Sequence, residues 1–275
     1  MVRMTVLASG SKGNSTVISS SGTTILIDAG LSCRETLRRM HAAGEDPRAL
    51  NAIIITHEHQ DHIHGLPVLA RKLKVPVYMT EPTHEVWRKW VRGNTSKQKA
   101  MFPDDDRAHV DRLEHFRSGE SFQVGDIAVT PFTIPHDATD PVGLVFKIEG
   151  VRIGLVTDLG YMSANVSMHL RNCDALMIES NHDLEMLRGG PYPWSVKQRV
   201  MSRVGHLSNE ALAQFFASDY DGGAAFLVLA HLSECNNHPE LARETAERAL
   251  APRGKLLGNR VMLASQSEPM ESIRL

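Results

Sequence analysis

Several features that mark particular classes of protein are scarce in this sequence of 275 residues. It has three cysteines, Cys33, Cys173 and Cys235, widely spaced and without a C-x-x-C pair, which argues against a disulfide framework or a thiolate zinc site. Aromatic residues make up 5% of the chain, and the formal net charge is only -2. The chain therefore lacks the overall basic character that would indicate a nucleic-acid partner.

Long apolar runs are also absent from the sequence. No window approaches the roughly 18 apolar residues that a membrane-spanning helix needs, and Met1 to Gly10 has no export-signal pattern. Together with the few cysteines, this predicts a cytoplasmic protein without a membrane partner. Since 42% of the residues are hydrophobic and no long linker or repeat interrupts the chain, we expect a single domain over residues 1–275.

Histidine, in contrast, is abundant, with 14 residues, and clustered histidines indicate metal binding. The densest group is the segment His57-Glu58-His59-Gln60-Asp61-His62. It directly follows a β-branched run, Ala52 to Thr56, which is typical of a buried strand. A loop at a strand end can direct the first two histidines at one cation and the final Asp-His pair at a second one. The alternative is a solvated polar loop in which the histidines occur by chance.

Two coordination spheres need more ligands than one loop supplies. Three candidates follow later apolar runs: His136 after residues 130–134, Asp158 after residues 153–157, and His231 after residues 226–230. Any one of them alone could be a capping residue, but their shared position at strand ends indicates a common site. A carboxylate such as Asp158 can bridge two cations roughly 3.5 to 4 Å apart that hold a hydroxide nucleophile between them.

The remaining pattern predicts two strand-rich halves, each with helices, and hence two packed sheets with helices outside. The predicted elements that bear on the site are an antiparallel meander (Thr5–Ala8, Thr16–Ser19, Thr24–Ile27), helices over Ser32–Ala43, His62–Leu73 and Trp194–Val204, a hairpin through Gly150, and an excursion without assigned function over Gly93–Asp111.

The H-x-H-x-D-H segment and the later His, Asp and His positions resemble the metallo-β-lactamase superfamily over nearly the whole chain. The resemblance implies an α/β (α+β) protein, a four-layer αβ/βα sandwich, with two divalent metal ions, Zn²⁺ or Mn²⁺, at one edge. It implies these ligands: His57, His59 and His136 for the first metal, Asp61, His62 and His231 for the second, and Asp158 as the bridge. Asp28 would brace the histidine loop, although a turn-forming aspartate after a strand is an equal alternative.

A narrower resemblance, to the WalJ/YycJ-type proteins, spans both halves of the chain. The four stretches that carry it are Ala8-Ser9-Gly10-Ser11-Lys12-Gly13-Asn14-Ser15, Glu179-Ser180-Asn181-His182-Asp183, Pro191-Tyr192-Pro193-Trp194, and Gly205-His206-Leu207-Ser208-Asn209-Glu210. It implies a DNA exonuclease, with 5′-to-3′ polarity, that hydrolyses phosphodiester bonds.

Phosphodiester hydrolysis also benefits from a proton donor for the leaving alkoxide. His206 is our candidate, oriented by Glu179, and His182 is the alternative; Asp61 is counted as catalytic as well as metal-binding. His206 could instead simply precede the helix that begins at Ser208.

Substrate phosphate contacts are expected from the turn and helix-start residues Ser11, Asn14, Ser15 and Ser208. A plain hairpin turn is the alternative for the first three. The segment Arg188–Arg203 adds cationic and aromatic side chains of the kind that nucleic acids contact, although such helix faces are commonly just solvated surface.

Two other functions share the ligand set: a small-molecule hydrolase of the thioester type and a metal-binding scaffold without turnover.

Overall fold

The computed structural model describes residues 1–93, 110–253 and 258–275, so the predicted excursion over Gly93–Asp111 lies almost wholly outside the described residues. The described strands form two seven-stranded sheets. The first contains β1 (Arg3–Ala8), β2 (Ser15–Ser19), β3 (Thr24–Ile27), β4 (Leu50–Ile54), β5 (Val77–Thr80), β6 (Leu113–Phe116) and, from the C-terminus, β14 (Ile273–Arg274). The second contains β7 (Phe122–Val124), β8 (Ile127–Thr133), β9 (Val142–Ile148), β10 (Val151–Val156), β11 (Ala175–Glu179), β12 (Phe226–Ala230) and β13 (Arg260–Leu263).

Both sheets combine an antiparallel half with a parallel half. The first has the order β14-β1-β2-β3-β4-β5-β6, antiparallel as far as β3 and parallel from β3 to β6. The second has the order β13-β12-β11-β10-β9-β8-β7, antiparallel from β7 to β10 and parallel from β10 to β13. The predicted meander and the hairpin through Gly150 are confirmed.

Helices connect strands within both halves of the described chain. They are α1 (Cys33–Ala42), α2 (Gln60–Ile63), α3 (Leu66–Leu73), α4 (Glu81–Gly93), α5 (Ala164–His169), α6 (Leu184–Gly189), α7 (Trp194–Val200), α8 (Asn209–Ser218) and α9 (Pro239–Leu250), with short 3₁₀ helices at Pro47–Ala49 and Ala251–Arg253. None of these described helices has the length and apolar character needed to cross a membrane.

Three apolar clusters hold the layers together. One lies between the two sheets, where strand residues such as Val6 and Leu144 meet. A second packs α1, α3 and α4 on the first sheet, and the third packs α5, α8 and α9 on the second sheet. Burial of these apolar faces is the main stabilising contribution to such a layered fold. The predicted four-layer αβ/βα sandwich is confirmed.

Two predicted helices are wrong in their extent. The helix expected over His62–Leu73 is divided into α2 and α3, because the Gly65 N–H donates to the Ala29 carbonyl at 2.8 Å. The helix expected over Trp194–Val204 ends at Val200, where the chain turns back and the His206 N–H donates to the Val200 carbonyl at 2.9 Å. Strands β6 and β7 and helix α6 were not predicted. In both helices a contact made by the folded chain overrides the local pattern.

Candidate metal centre

The predicted site residues lie at one edge of the sandwich, where several strands end. Asp28 follows β3, the segment 57–62 follows β4, His136 follows β8, Asp158 follows β10, Glu179 ends β11 and His231 follows β12. Strands β3 and β4 are parallel, as are β10, β11 and β12, and β8 shares their direction through β9. The carboxyl ends of parallel strands meet at one edge, which is where such folds place functional side chains.

The chain turns sharply after three of these strands. Asp28, Asp158 and His231 have φ angles of 59°, 61° and 54°, in the left-handed region that non-glycine residues seldom adopt. Such a conformation costs roughly 1 to 3 kcal/mol per residue and persists where surrounding contacts fix it. The Asp28 N–H donates to Ile54 O at 2.9 Å, and the His231 N–H donates to Ser9 Oγ at 2.9 Å. Backbone strain therefore coincides with the candidate site.

Gly30 explains why the loop after β3 can press against the histidine loop. A Cβ atom at this position would lie 1.7 Å from the Asp61 carbonyl oxygen. Two backbone hydrogen bonds to the histidine loop lie at this contact: the Asn14 N–H donates to Asp61 O at 2.7 Å, and the Ala29 N–H donates to His62 O at 2.8 Å. Only glycine permits this contact, which places Asp28 behind the histidine loop.

His57, His59 and His136 form the three-histidine cluster, in which one ring nitrogen of each lies within 4.8 Å of the others. His136 Nε2 is 3.1 Å from His59 Nδ1. The opposite nitrogen of two rings is anchored, with His57 Nδ1 3.1 Å from Thr56 Oγ1 and His136 Nδ1 3.2 Å from Gly205 O. His57 Nε2 is buried without a hydrogen-bond partner in the described chain. A buried, unpaired nitrogen facing other imidazoles is what a cation site requires.

Asp61, His62, Asp158 and His231 form the mixed cluster, which has two carboxylates. His62 Nε2 lies 3.5 Å from Asp61 Oδ2 and 3.2 Å from Asp158 Oδ2, and His231 Nε2 lies 3.4 Å and 3.5 Å from the same two carboxylates. Imidazole nitrogen and carboxylate oxygen are ligands that Zn²⁺ and Mn²⁺ both accept.

Asp158 faces both clusters. Its Oδ1 is 3.5 Å from His231 Nε2 and 3.9 Å from His136 Nε2. Its Oδ2, although near His62, is buried and has no partner with hydrogen-bond geometry among the described residues. The orphaned atoms of His57 and Asp158, within a set of imidazoles and carboxylates, fit two neighbouring divalent cations.

Charge is distributed unequally between the clusters. Burial lowers the pKa of His57 well below its usual value, and neighbouring His62 lowers it further. Burial opposes the charged form of His62 too, but Asp28, Asp158 and Asp61 raise its pKa well above the usual value. The pKa of His231 is likewise raised, chiefly by Asp158. A cation bound at the mixed cluster would therefore displace protons from His62 and His231, whereas burial lowers the pKa of His57 and His136 and favours their neutral rings.

Asp28 braces the mixed cluster from behind. Its Oδ2 lies 2.8 Å from His62 Nδ1, and its Oδ1 accepts hydrogen bonds from the Thr56 backbone N–H (2.9 Å) and hydroxyl (3.1 Å). The Thr56 hydroxyl also lies 3.3 Å from His62 Nδ1, so Thr56 touches a histidine of each cluster. Sequence reasoning missed Thr56, because a threonine ending a β-branched run is indistinguishable from any other strand residue.

Glu179 orients two imidazoles at once. It is fully buried, and its Oε1 lies 2.8 Å from His206 Nδ1 and 3.0 Å from His231 Nδ1. Its Oε2 accepts from the backbone N–H groups of Leu159 (2.7 Å) and Leu207 (3.1 Å). Despite burial, His206 and His231 lower the pKa of Glu179 to about 2. Because four donors surround its oxygens, this carboxylate suits an orienting role better than metal binding.

His182 has different surroundings. It is buried, its Nδ1 lies 3.3 Å from Asn181 Oδ1, and burial lowers its pKa to about 4. It is not part of either cluster. Neighbouring Asn181 was not predicted, yet its Nδ2 donates to the His231 carbonyl at 2.8 Å.

The four expected phosphate contacts occupy different environments. Asn14 belongs to the centre, because its Nδ2 lies 3.1 Å from Asp61 Oδ2 and 3.0 Å from His62 Nε2. Ser15 is buried and donates to Asp28 O, and Ser208 is buried and caps α8 by accepting from Ala211 N. Ser11 is exposed on its turn.

Comparisons with known proteins agree with this architecture. A family model described as a beta-lactamase superfamily domain matches residues 23–232. The chain is 37% identical to the exodeoxyribonuclease YycJ of Bacillus anthracis, covering 92% of this chain and 90% of the relative. It is 38% identical to the exodeoxyribonuclease WalJ of Streptococcus pneumoniae serotype 2, covering 90% and 88%. The metallo-beta-lactamase fold protein YhfI of Bacillus subtilis has a similar fold, with a TM-score of 0.70 at 16% identity over 98% of this chain and all of that one.

Proposed function

The chain belongs to the metallo-β-lactamase superfamily, and from that premise we propose that it is a two-metal phosphodiesterase that degrades DNA as an exonuclease, in the 5′-to-3′ direction. The observation that carries the proposal is the pair of exodeoxyribonuclease relatives, which match this chain over nearly their full length. The names of these relatives support a nucleic acid as the substrate, and we propose DNA rather than RNA. Three free thiols, none of them in a disulfide, support a cytoplasmic location.

We assign the ligands by cluster. His57, His59 and His136 would hold one cation, Asp61, His62 and His231 the other, and Asp158 would contact both. When bound, Zn²⁺ or Mn²⁺ supplies Lewis acidity that polarises the phosphodiester and stabilises the negative charge that develops on it. Asp28 and Glu179 keep the histidine rings of the mixed cluster in their ligating orientation, as carboxylates behind metal-bound histidines commonly do.

His206 is the residue to which we assign proton donation. Its Nδ1 is held by Glu179, which leaves Nε2 as the atom that can pass a proton to the leaving alkoxide. The charge of Glu179 raises the pKa of His206 against the effect of burial, so the protonated ring is favoured. His182, whose pKa burial lowers to about 4, is less suited to the same task because the neutral ring is favoured.

The test is hydrolysis of end-labelled nucleic acids by metal-free protein to which Zn²⁺ or Mn²⁺ is returned. DNA and RNA of the same sequence are compared, with the label at either end. We expect DNA degradation, immediate release of a 5′ label and gradual shortening of 3′-labelled strands. The His59→Ala/Asp158→Ala variant is the control that should be inactive. Absence of hydrolysis of every nucleic acid would contradict the proposal and favour a thioester-type substrate.

A further inference from the structure

The cationic side chains of the segment Arg188–Arg203 have different surroundings. The Lys197 ammonium is buried and donates to the Arg188 carbonyl at 2.7 Å. Arg188 itself pairs with Glu185 at 2.7 Å, and Arg203 lies over the Tyr161 ring at 4.2 Å. Arg199 differs from all of these, since its carboxylate partner stands next to the metal centre.

That partner is Asp137. Arg199 Nε donates to Asp137 Oδ2 at 2.5 Å, while Asp137 Oδ1 lies 3.6 Å from His136 Nε2 and 3.9 Å from His59 Nε2. One carboxylate therefore separates the guanidinium from the three-histidine cluster. The hydrogen bond and charge of Asp137 raise the pKa of Arg199, and the more distant charge of Asp61 acts in the same direction.

One edge of the Arg199 guanidinium remains open. Its side chain is 63% exposed, and within the described parts of the chain no protein acceptor contacts Nη1 or Nη2. Arginine presents donors on two edges of a rigid plane, so one edge can hold a carboxylate while the other binds an anion. The open edge is thus a donor pair available to a substrate at the metal centre.

The backbone fixes Arg199 beside the centre. The Asp137 N–H donates to Val204 O at 3.0 Å, and the turn after α7 returns to place Gly205 O 3.2 Å from His136 Nδ1. A Cβ atom at Gly205 would lie 2.2 Å from the Arg199 carbonyl oxygen, so the two backbone segments are in direct contact. Arg199, on α7, and His206, after the turn that follows α7, are therefore both held beside the centre.

We propose that Arg199 binds a backbone phosphate of the nucleic acid at the three-histidine side of the metal centre, with Asp137 as its positioning residue. The inference rests on the proposed function and adds the residue that contacts substrate. A phosphate oxygen fits the open guanidinium edge, and a phosphate contact is independent of base sequence. Cations bound at the two clusters would hold the reacting phosphodiester. Because only Asp137 separates Arg199 from the three-histidine cluster, the phosphate that Arg199 binds would be the scissile one or its neighbour.

The test compares Arg199→Gln with Arg188→Gln, an identical change at an exposed, carboxylate-paired arginine of the same segment. KM and kcat on labelled DNA are measured with metal-loaded protein over about 50 to 200 mM salt, and bound metal is quantified. We expect Arg199→Gln to lower kcat/KM roughly tenfold to a hundredfold, as for a lost charged hydrogen bond. The slope of log KM against log salt should fall by about one, with bound metal unchanged. Arg188→Gln should resemble the wild type.

Two further variants separate binding from positioning. Arg199→Lys keeps the charge and should retain the wild-type salt slope while losing part of the affinity, because a single ammonium cannot hold Asp137 and a phosphate on separate edges. Asp137→Asn should raise KM, and combining it with Arg199→Gln should add nothing further, since Asp137 acts through Arg199.

Equal kinetics and salt slopes for Arg199→Gln and Arg188→Gln would overturn the inference, as would loss of metal in parallel with loss of affinity. Either result leaves the exonuclease proposal standing. Failure of the wild-type protein to hydrolyse DNA would instead overturn the proposed function and the phosphate contact with it.

Discussion

The two ligand clusters share an edge of the sandwich but differ in how they are held and charged. The mixed cluster contains two carboxylates, and Asp28 and Glu179 fix its histidine rings from behind. In the three-histidine cluster a hydroxyl and a carbonyl lie behind two of the rings, and Asp137 lies beside the cluster. Histidine rings that are held by carboxylates are better oriented and more basic ligands than rings held by a hydroxyl or a carbonyl, so they bind a divalent cation more tightly. We therefore expect the mixed cluster to fill first and the three-histidine cluster to lose its metal first.

Asp158→Ala should have the largest effect, because it removes the carboxylate that faces both clusters. We expect bound metal to fall below two equivalents and kcat/KM to fall at least about a thousandfold. Metal analysis and the nuclease assay check this, with circular dichroism as the control for folding. Full activity at normal metal content would mean that the two clusters do not work together.

His206→Ala should reduce the rate while all seven assigned metal ligands remain in place. We expect a loss on the order of a hundredfold in kcat, with both metals retained, because a proton donor contributes to the chemical step and not to metal binding. His182→Ala is the matched control and should keep its rate. A similar loss of kcat in both variants would argue against assigning the donor to His206.

Asp28→Asn should affect one cluster selectively. We expect the metal affinity of the mixed cluster to fall about tenfold to a hundredfold, since the amide holds His62 less well, while the three-histidine cluster is unchanged. Competition with a chelator measures the two affinities. Glu45→Gln, at a buried carboxylate that pairs with Arg3 and Thr5, is the control and should cost stability without changing metal binding. Equal weakening of both metals in Asp28→Asn would remove the distinction between the clusters.

Thr56→Val should have the smallest effect, spread over both clusters. The substitution keeps the shape but removes the hydroxyl that contacts Asp28, His57 and His62. We expect a loss of about 1 kcal/mol in the free energy of unfolding and a change of a few-fold in the affinity for each metal. Denaturant unfolding and metal titration check it. A change at one metal alone would show that Thr56 serves a single cluster.

The position of the candidate site residues at strand ends could be predicted because each follows a short apolar run, a pattern contained within a few residues. Thr56 and Asn181 could not be predicted because their partners are distant in the sequence. Thr56 contacts Asp28, 28 residues away, and Asn181 contacts His231, 50 residues away, so each pair becomes neighbours only on folding. The Arg199–Asp137 pair, 62 residues apart, has the same origin.

The elements that were predicted poorly have comparable causes. Strand β6 has two exposed residues at its centre, so its apolar alternation is weak. The helix expected to begin at His62 looks continuous in its apolar spacing, but Gly65 must approach the loop after β3, where a Cβ atom would lie 1.9 Å from Leu31 O. The spacing of apolar residues indicates which face of a helix is buried. It does not show where the backbone must approach a segment that is distant in the sequence.

Anomalous diffraction from crystals of the protein loaded with Zn²⁺ or Mn²⁺ tests the central claim most directly. The account predicts two peaks at the sheet edge, one bound by His57, His59 and His136, the other by Asp61, His62 and His231, with Asp158 contacting both. On withdrawal of metal, the peak at the three-histidine cluster should weaken first. A single peak, or peaks bound by other residues, would contradict the two-metal centre.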